Sequence, residues 1–530
     1  MHNILVFIFL LILVEQNLST SSEKDENLVS FHNKDYYSSS VLGLVNLLKL
    51  EQEFMENFTI YANVLQDKVD NLNIYLDNLK RPNHTTHKER EKFVSNPLNA
   101  FGLIRRLNQD WPKLQNYTRE PLGLLQLNAM EEILNKAPVS FDMNETLKAM
   151  HRIETTYDLQ AKDIAKGLLQ SKQFNYKLNV RDCLALAHHN FDVGDFSRSL
   201  LWFGEASDIN TEPSQDIFSK LLSLELKAFA TSIIKRSNFM SNQTTIHKSI
   251  NNQLQDAKTK DLEHIVKSKL SQWATESMNA SGNSRTAPNA MNIGCQGLFP
   301  KRTNLVCRYN FTTNSFLKLA PLKVEEISRD PYIIMIHGAI SVKEIEKMRG
   351  NLEYIKQMGN GWTETDDSKE IVARIHWIRE QSPFIDRINQ RIADITGFKL
   401  EEFPALQLAN FGVGGYFRAH HDYYTERLKE VDANNTLGDR IASLIFYAGD
   451  VSQGGQTVFP DIKVAVEPQK GNALFWLNDF DDSSPDPRSL HSVCPVIVGS
   501  RWTITKWIHH DPQVFVKPCS PRFQKKGLKK

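Results

Sequence analysis

The apolar residues of this chain change period near residue 280, from helical spacing to short strand-like runs, which limits the fold to a helical part followed by a β-rich part. In the first part, Leu44, Leu47, Phe54, Phe58, Tyr61, Leu65, Leu72, Tyr75 and Leu79 recur near a heptad and predict one long amphipathic helix. Glu51 and Lys68 interrupt the seam, so an ordinary packed helix and a coiled coil both satisfy the pattern, and the expectation is self-association. Arg81, Pro82 and Asn83 break the helix, and further helical stretches follow around residues 100–111 and 147–169. Residues 181–270 read as helical throughout. Within them Leu184, Ala187, Phe191, Gly194, Phe196, Leu200, Phe203 and Ala206 have the spacing of one tetratricopeptide-type helix pair, which a generic helical hairpin also satisfies.

Residues 279–297 are rich in Asn, Ser, Gly and Ala without apolar periodicity, and form the best linker in the chain. Beyond it, residues 332–336 predict a strand, and Ser341 with Glu344 forms a capping box for a helix reaching about residue 354. Ile385, Ile388, Ile392 and Ile395 mark an amphipathic helix that Gly397 can end. Strand-like runs at 406–411, 440–447, 456–459, 472–477 and 501–508 then predict an all-β barrel or double sheet flanked by helices.

A length of 530 residues gives room for several domains, each with a core of its own. Lys+Arg 63 against Asp+Glu 62 leaves a net charge of +1, so no whole-chain electrostatic argument favours nucleic acid or an anionic membrane. The apolar run 4–14 is shorter than the ~20 residues of a membrane-spanning helix, and a polar, small stretch follows it, as in a signal peptide over 1–20. Sequons at Asn57, Asn83, Asn116, Asn144, Asn242, Asn279, Asn310 and Asn434 fit a glycoprotein of the endoplasmic reticulum lumen. Of the five cysteines, Cys295 with Cys307 and Cys494 with Cys519 are near in sequence, which predicts those two disulfides and leaves Cys183 alone. The basic tail 521–530 carries no retention tetrapeptide.

The chemistry centres on His420, His421 and Asp422, preceded by the Gly-rich loop 412–415 and followed far along the chain by His491. On a strand, alternate residues share a face, so His420 and Asp422 point one way and His421 the other. With His491 from a neighbouring strand they make a 2-His-1-carboxylate set, which holds Fe(II) and leaves adjacent positions open. A bare HxD pair is common by chance; what adds to it here is Arg501, ten residues beyond His491 on a predicted strand, where a fixed cation can pair with a cosubstrate carboxylate.

The motifs LANFGVGG (408–415), HHD (420–422), GGQTVFP (454–460), PQKGNALFWLN (468–478) and HSVCPVIVGSRW (491–502) stand in the order of the collagen prolyl 4-hydroxylase alpha subunit, and residues 331–519 resemble its catalytic domain. NAFGLIRRLNQDW (99–111) resembles the amino-terminal domain of the same subunit, and residues 183–206 lie where that family has its peptide-binding domain. The resemblance implies a multidomain chain: a helical dimerisation domain (21–150), a tetratricopeptide-like domain (165–275), a linker and disulfide-bearing segment (276–330), and a double-stranded β-helix (jelly-roll) dioxygenase domain with flanking helices (331–520). It also implies Fe(II), O2, 2-oxoglutarate and L-ascorbate as cofactors, prolyl residues in X-Pro-Gly context as substrate, and succinate and CO2 as co-products. The implied partners are a proline-rich or procollagen-like polypeptide and protein disulfide isomerase, as the beta subunit of a tetramer of two alpha and two beta chains.

Two positions depart from the family's cosubstrate site. Its carboxylate-binding lysine is Arg501 here, and Phe411 replaces a tyrosine whose hydroxyl serves the same carboxylate; Lys506, at odd spacing from Arg501, should face away. In the peptide-binding region the family's tyrosines become Phe191, Phe196 and Ser197, which keeps aromatic faces and removes hydroxyls, while a helix-core role for both rings also fits. These changes keep two further readings open: a catalytically weak binding or assembly subunit, and a prolyl hydroxylase of other secreted proteins.

Overall fold

Ser40 starts the first long helix: its hydroxyl accepts from the Gly43 amide at 3.1 Å, which satisfies one of the unpaired amides of the first turn. We describe the fold from a computed structural model covering residues 37–38, 40–79, 84–209, 217–240, 259–280, 289–350, 371–379, 382–400, 405–424 and 437–516. The signal-peptide segment, Asn83, Asn242, Asn434, Cys519 and the basic tail lie outside the described residues. Helix α1 (Val41–Asn78) matches the heptad reading, and shorter helices follow at His87–Val94, Pro97–Arg105, Trp111–Arg119 and Leu124–Leu134. Helix α2 (Ser140–Tyr157) ends where Asp158 turns left-handed, so the helix read over 147–169 is broken there; a short helix at Ala161–Ala165 resumes it before a small hairpin at Leu168–Leu169 and Lys172–Gln173.

The next helices are α3 (Val180–Asp192), α4 (Phe196–Ile209), α5 (Ile217–Met240) and α6 (Thr259–Ala280). Asn179 caps α3 with a reciprocal Asp182 contact, and α3 and α4 form the helix pair expected from the apolar spacing. Their shared core includes Leu184, Ala187, Phe191, Phe196, Trp202 and Phe203, joined by Phe229, Leu270 and Trp273 from α5 and α6.

The β-rich part has fourteen strands among the described residues: β1 (Cys307–Asn310), β2 (Leu322–Arg329), β3 (Tyr332–His337), β4 (Arg374–Ile378), β5 (Leu406–Phe411), β6 (Phe417–His420), β7 (Arg440–Tyr447), β8 (Val451–Gly454), β9 (Thr457–Phe459), β10 (Val464–Val466), β11 (Ala473–Leu477), β12 (His491–Val493), β13 (Val496–Gly499) and β14 (Arg501–His509). All pair antiparallel, in a large sheet of order β1-β2-β3-β11-β7-β14-β5-β4, a small sheet of order β10-β9-β12-β6, and the ribbon β8-β13. The sheet therefore begins at Cys307, ahead of the boundary at 331 read from sequence. Helix α7 (Pro383–Thr396) buries Ile385, Ile388, Ile392 and Ile395 against one face of the large sheet, and Gly397 ends it in the left-handed region as expected. The other face looks onto the small sheet across Ile333, Tyr447, Phe459 and Trp476. Among the described residues no helix is long and apolar enough to cross a membrane.

The disulfide expectation needs correcting. Cys295 pairs with Cys494, 199 residues away, with a Cα separation of 5.6 Å, while Cys307 is free and exposed. Cys295 ends a short helix buried against Val458 of β9, which brings its thiol to Cys494, whereas Cys307 opens the edge strand β1. Nearness in sequence does not settle which sulfurs meet, because the Cβ vectors must converge. Cys183 is unpaired and buried, as expected.

Helix α2 packs between the two parts, and there Glu154 is buried with its carboxylate accepting from the Trp202 indole at 2.9 Å and lying 3.4 Å from Arg198. Burial pushes its pKa up to about 7, against the opposing pull of Trp202 and Arg198. A carboxyl with a raised folded pKa contributes stability that is complete below its ordinary value and is lost as pH rises through about 7. Glu154→Gln should therefore raise the melting temperature at pH 8 and leave it nearly unchanged at pH 4; an equal change at both pH values in thermal scans would clear Glu154 of this role.

Candidate metal centre and anion pocket

His420 is the last residue of β6 and lies opposite His491 of β12 in the antiparallel register. That pairing puts two imidazoles on one face, with ring centroids 4.3 Å apart. The strand ends before Asp422, yet the chain still turns this carboxylate back between the rings: Oδ1 lies 3.6 Å from His420 Nε2 and Oδ2 lies 3.8 Å from His491 Nε2. One ligand atom from each of the three residues lies within 4.8 Å of the others. His421 points elsewhere, its Nε2 meeting the Pro487 carbonyl at 3.1 Å.

The imidazoles are held in one tautomer. His420 Nδ1 faces the Arg418 carbonyl at 2.7 Å and His491 Nδ1 faces the Ser489 carbonyl at 3.0 Å. A carbonyl only accepts, so each Nδ1 carries the proton and each Nε2 keeps its lone pair towards Asp422. Burial, reinforced by His491, brings the His420 pKa down to about 3, and burial also lowers that of His491, so both rings are neutral donors near pH 7. Burial alone would raise the Asp422 pKa, but His491, His420, the Ser443 hydroxyl and Arg440 together hold it below the usual range. Phe417 stacks on His420 with centroids 3.6 Å apart, and Trp476 meets His491 edge-on at 4.8 Å. Two neutral imidazole nitrogens and one ionised carboxylate form the donor set that suits Fe(II), so the residues present fit that metal.

Two residues that the sequence reading missed orient the carboxylate. Ser443 on β7 donates to Asp422 Oδ2 at 2.6 Å, and Asn478 donates to Ser443 Oγ at 3.0 Å; both side chains are fully buried. Asn478 closes the PQKGNALFWLN motif just past β11, the one signal that could have flagged it, whereas no local pattern marks Ser443.

Arg501 begins β14 and lies opposite Phe411 of β5. It is 1% exposed, and among the described residues no carboxylate lies within ion-pair distance of it. Its Nε donates to the Gly455 carbonyl at 3.0 Å and Nη2 to the Thr457 hydroxyl at 3.1 Å, while the guanidinium lies 4.8 Å from the Phe411 ring centroid. Phe411 thus sits under the cation as an aromatic face. Hydroxyls come instead from Thr457 and Tyr447, which hydrogen-bond to each other at 2.9 Å. Thr457 stands inside the GGQTVFP motif, the one signal that could have flagged it. Thr457 is on the small sheet and Arg501 on the large one, so the cation lies in the same space between sheets as the triad. Lys506 is on the opposite face of β14, opposite Leu444, as its odd spacing predicts.

Phe191 and Phe196 are not at this site and are not open to a peptide. They are 3% and 9% exposed, pack on Phe229 and Trp273, and lie beneath the Arg236 guanidinium, so both rings belong to the helical core.

Residues 40–171 match the family described as Prolyl 4-Hydroxylase alpha-subunit, N-terminal region, and residues 406–509 match the 2OG-Fe(II) oxygenase superfamily. Over 520 residues the chain is 29% identical to prolyl 4-hydroxylase subunit alpha-1 of Mus musculus, covering 91% of this chain and 95% of that one. It is 26% identical over 503 residues to prolyl 4-hydroxylase subunit alpha-2 of Caenorhabditis elegans, covering 91% and 93%. A solved viral collagen prolyl hydroxylase from Paramecium Bursaria Chlorella virus-1 aligns with a TM-score of 0.28 at 21% identity over 33% of this chain and 94% of that chain, too low to carry an argument.

Because Ser443 fixes one oxygen of Asp422, Ser443→Ala should weaken metal binding by about tenfold while the fold stays intact. Titration of metal-free protein with Fe(II) or Mn(II) checks this, and unchanged affinity would remove Ser443 from the centre.

Proposed function

We propose that this chain, similar over 91% of its length to prolyl 4-hydroxylase alpha subunits, is a procollagen-type prolyl 4-hydroxylase alpha subunit: a 2-oxoglutarate-dependent dioxygenase that converts prolyl residues in X-Pro-Gly context to 4-hydroxyproline, consuming O2 and releasing succinate and CO2. The observation that carries this reading is the buried guanidinium of Arg501, which has no carboxylate within ion-pair distance among the described residues and lies in the same intersheet space as the triad. A buried charge held only by neutral groups still lacks a countercharge, so the pocket suits an anionic ligand.

His420, Asp422 and His491 would hold Fe(II), and Arg501 with the Thr457 and Tyr447 hydroxyls would hold the far carboxylate of 2-oxoglutarate. When bound, the metal and cosubstrate supply the oxidising chemistry. The chain's own part is to keep both Nε2 atoms unprotonated, to orient Asp422 through Ser443, and to exclude water with Phe417, Phe459 and Trp476. Ascorbate is the reductant that this reading brings.

For the polypeptide, a surface continuous with the site is available. Trp507 shares a strand face with Arg501, and its register partner Ser443 touches Asp422. Its ring lies 5.5 Å from Trp377, which is 36% exposed, and Arg440 lies 4.5 Å over Trp507 and 4.8 Å over Tyr424. Flat aromatic faces of this kind suit proline rings in an extended chain. The core positions of Phe191 and Phe196 favour a second reading of the substrate, in which another secreted proline-containing protein replaces long collagen repeats.

The finer fold is read as a double-stranded β-helix formed by the large and small sheets, with a tetratricopeptide-like unit over 165–275. Exposed apolar residues along α1, among them Leu48, Met55, Phe58 and Leu65, support its use in self-association. Residence in the endoplasmic reticulum lumen and assembly with protein disulfide isomerase complete the proposal.

The test is hydroxylation of a Pro-Pro-Gly repeat peptide by the full chain co-expressed with protein disulfide isomerase, supplied with Fe(II), 2-oxoglutarate and ascorbate. Hydroxyproline should form, and Asp422→Ala should abolish it. Arg501→Ala should raise the 2-oxoglutarate KM by roughly ten- to a hundredfold, as expected for losing a charge-assisted contact of about 1.5 to 3 kcal/mol. An iron-binding complex that forms neither hydroxyproline nor succinate would overturn the enzymatic reading.

A further inference from the structure

Resting on the metal-site reading above, we infer that helix α2 is a positioning element of the metal centre, with Arg152 and Tyr157 as its positioning residues. Its two faces are different. Leu147, Met150 and Glu154 face the helical core, whereas Ala149, Arg152, Ile153, Thr156 and Tyr157 meet the β-rich part. The second set grips the two loops that flank the histidine strands.

The first loop, 412–416, joins β5 to β6 and so sets where His420 starts from. Arg152 Nε donates to the Gly414 carbonyl at 3.2 Å, and its guanidinium lies 4.7 Å over the Tyr416 ring. Ala149 fits so closely that a Cβ added at Gly414 would fall 2.5 Å from the alanine Cβ, and Gly414 has φ +64°. From another side, the start of α1 meets the same loop: Val41 N donates to Asn410 Oδ1 at 3.1 Å, and a Cβ at Gly412 would lie 3.1 Å from Ser40. The second loop, at Cys494 and Pro495, leaves β12 just after His491. Tyr157 donates its hydroxyl to the Pro495 carbonyl at 2.7 Å and is itself buried.

The two loops are also tied to each other, since Gly414 N donates to Val496 O at 2.7 Å and Val496 N to Gly415 O at 3.0 Å. Displacing either hold shifts β6 against β12, and the opposition of His420 to His491 depends on that register. Part of the catalytic frame therefore lies within the segment that matches the N-terminal family region.

The experiment uses the full chain with its partner. Metal-free wild type, Arg152→Ala, Arg152→Lys and Tyr157→Phe are titrated with Mn(II), and 2-oxoglutarate KM, kcat and melting temperature are recorded for each. Glu154→Gln, on the opposite face of α2, serves as the control. Arg152→Ala should weaken metal binding about tenfold and Tyr157→Phe about fivefold, the scale of lost supporting contacts around metal ligands. Arg152→Lys should recover part of the loss, and the control should bind as wild type. If Arg152→Ala does not fold, Tyr157→Phe, which removes a single hydroxyl, decides. Wild-type metal affinity and KM in both Tyr157→Phe and any folded Arg152→Ala would overturn the inference alone; a wild type that binds no metal would overturn the functional reading and this inference with it.

Discussion

The pairing of β6 with β12 is the contact on which the rest of this structure depends. Both strands are short, and the register that sets His420 opposite His491 is what brings two imidazoles to one face. In an antiparallel pair a slip of one residue would turn a ring to the other side, so the register must be held from outside the pair. Neighbouring β9 holds it laterally, the Ser489 and Arg418 carbonyls hold the rings, and the loops at either end are fixed by helix α2.

The electrostatics of the intersheet space follow from burial. Desolvation drives the histidines to the neutral form, in which a nitrogen lone pair is available, while local donors and cations keep Asp422 ionised. Arg501 keeps its charge because hydrogen bonds to the Gly455 carbonyl and the Thr457 hydroxyl and two aromatic faces partly replace water. With Phe411 as an aromatic face under Arg501, the hydroxyls of the pocket come from strands β7 and β9, where Tyr447 and Thr457 stand.

Helix α2 is the seam between the helical and β-rich parts. One face carries a buried carboxyl at the Trp202 indole, and the other carries an arginine at the loop before His420. The disulfide from Cys295 to Cys494 ties the same region across 199 residues, a span over which a crosslink restricts the unfolded chain strongly. The division of the chain into a helical unit and a catalytic unit is thus sharper in sequence than in space.

The sequence by itself determined the features that depend on near neighbours. Period set the helix–strand division, the capping box at Ser341 set a helix start, Gly397 set an end, and the HxD spacing with His491 named the three residues that meet in space. Tertiary structure alone decided which sulfur joins Cys295, that Phe191 and Phe196 are enclosed in the helical core, that Ser443, Tyr447 and Thr457 supply hydroxyls, and that Arg152 and Tyr157 reach the loops beside the histidines. Those contacts join residues far apart along the chain. They arise from how sheets and helices pack, and backbone preference acts over only a few residues, so no local pattern encodes them.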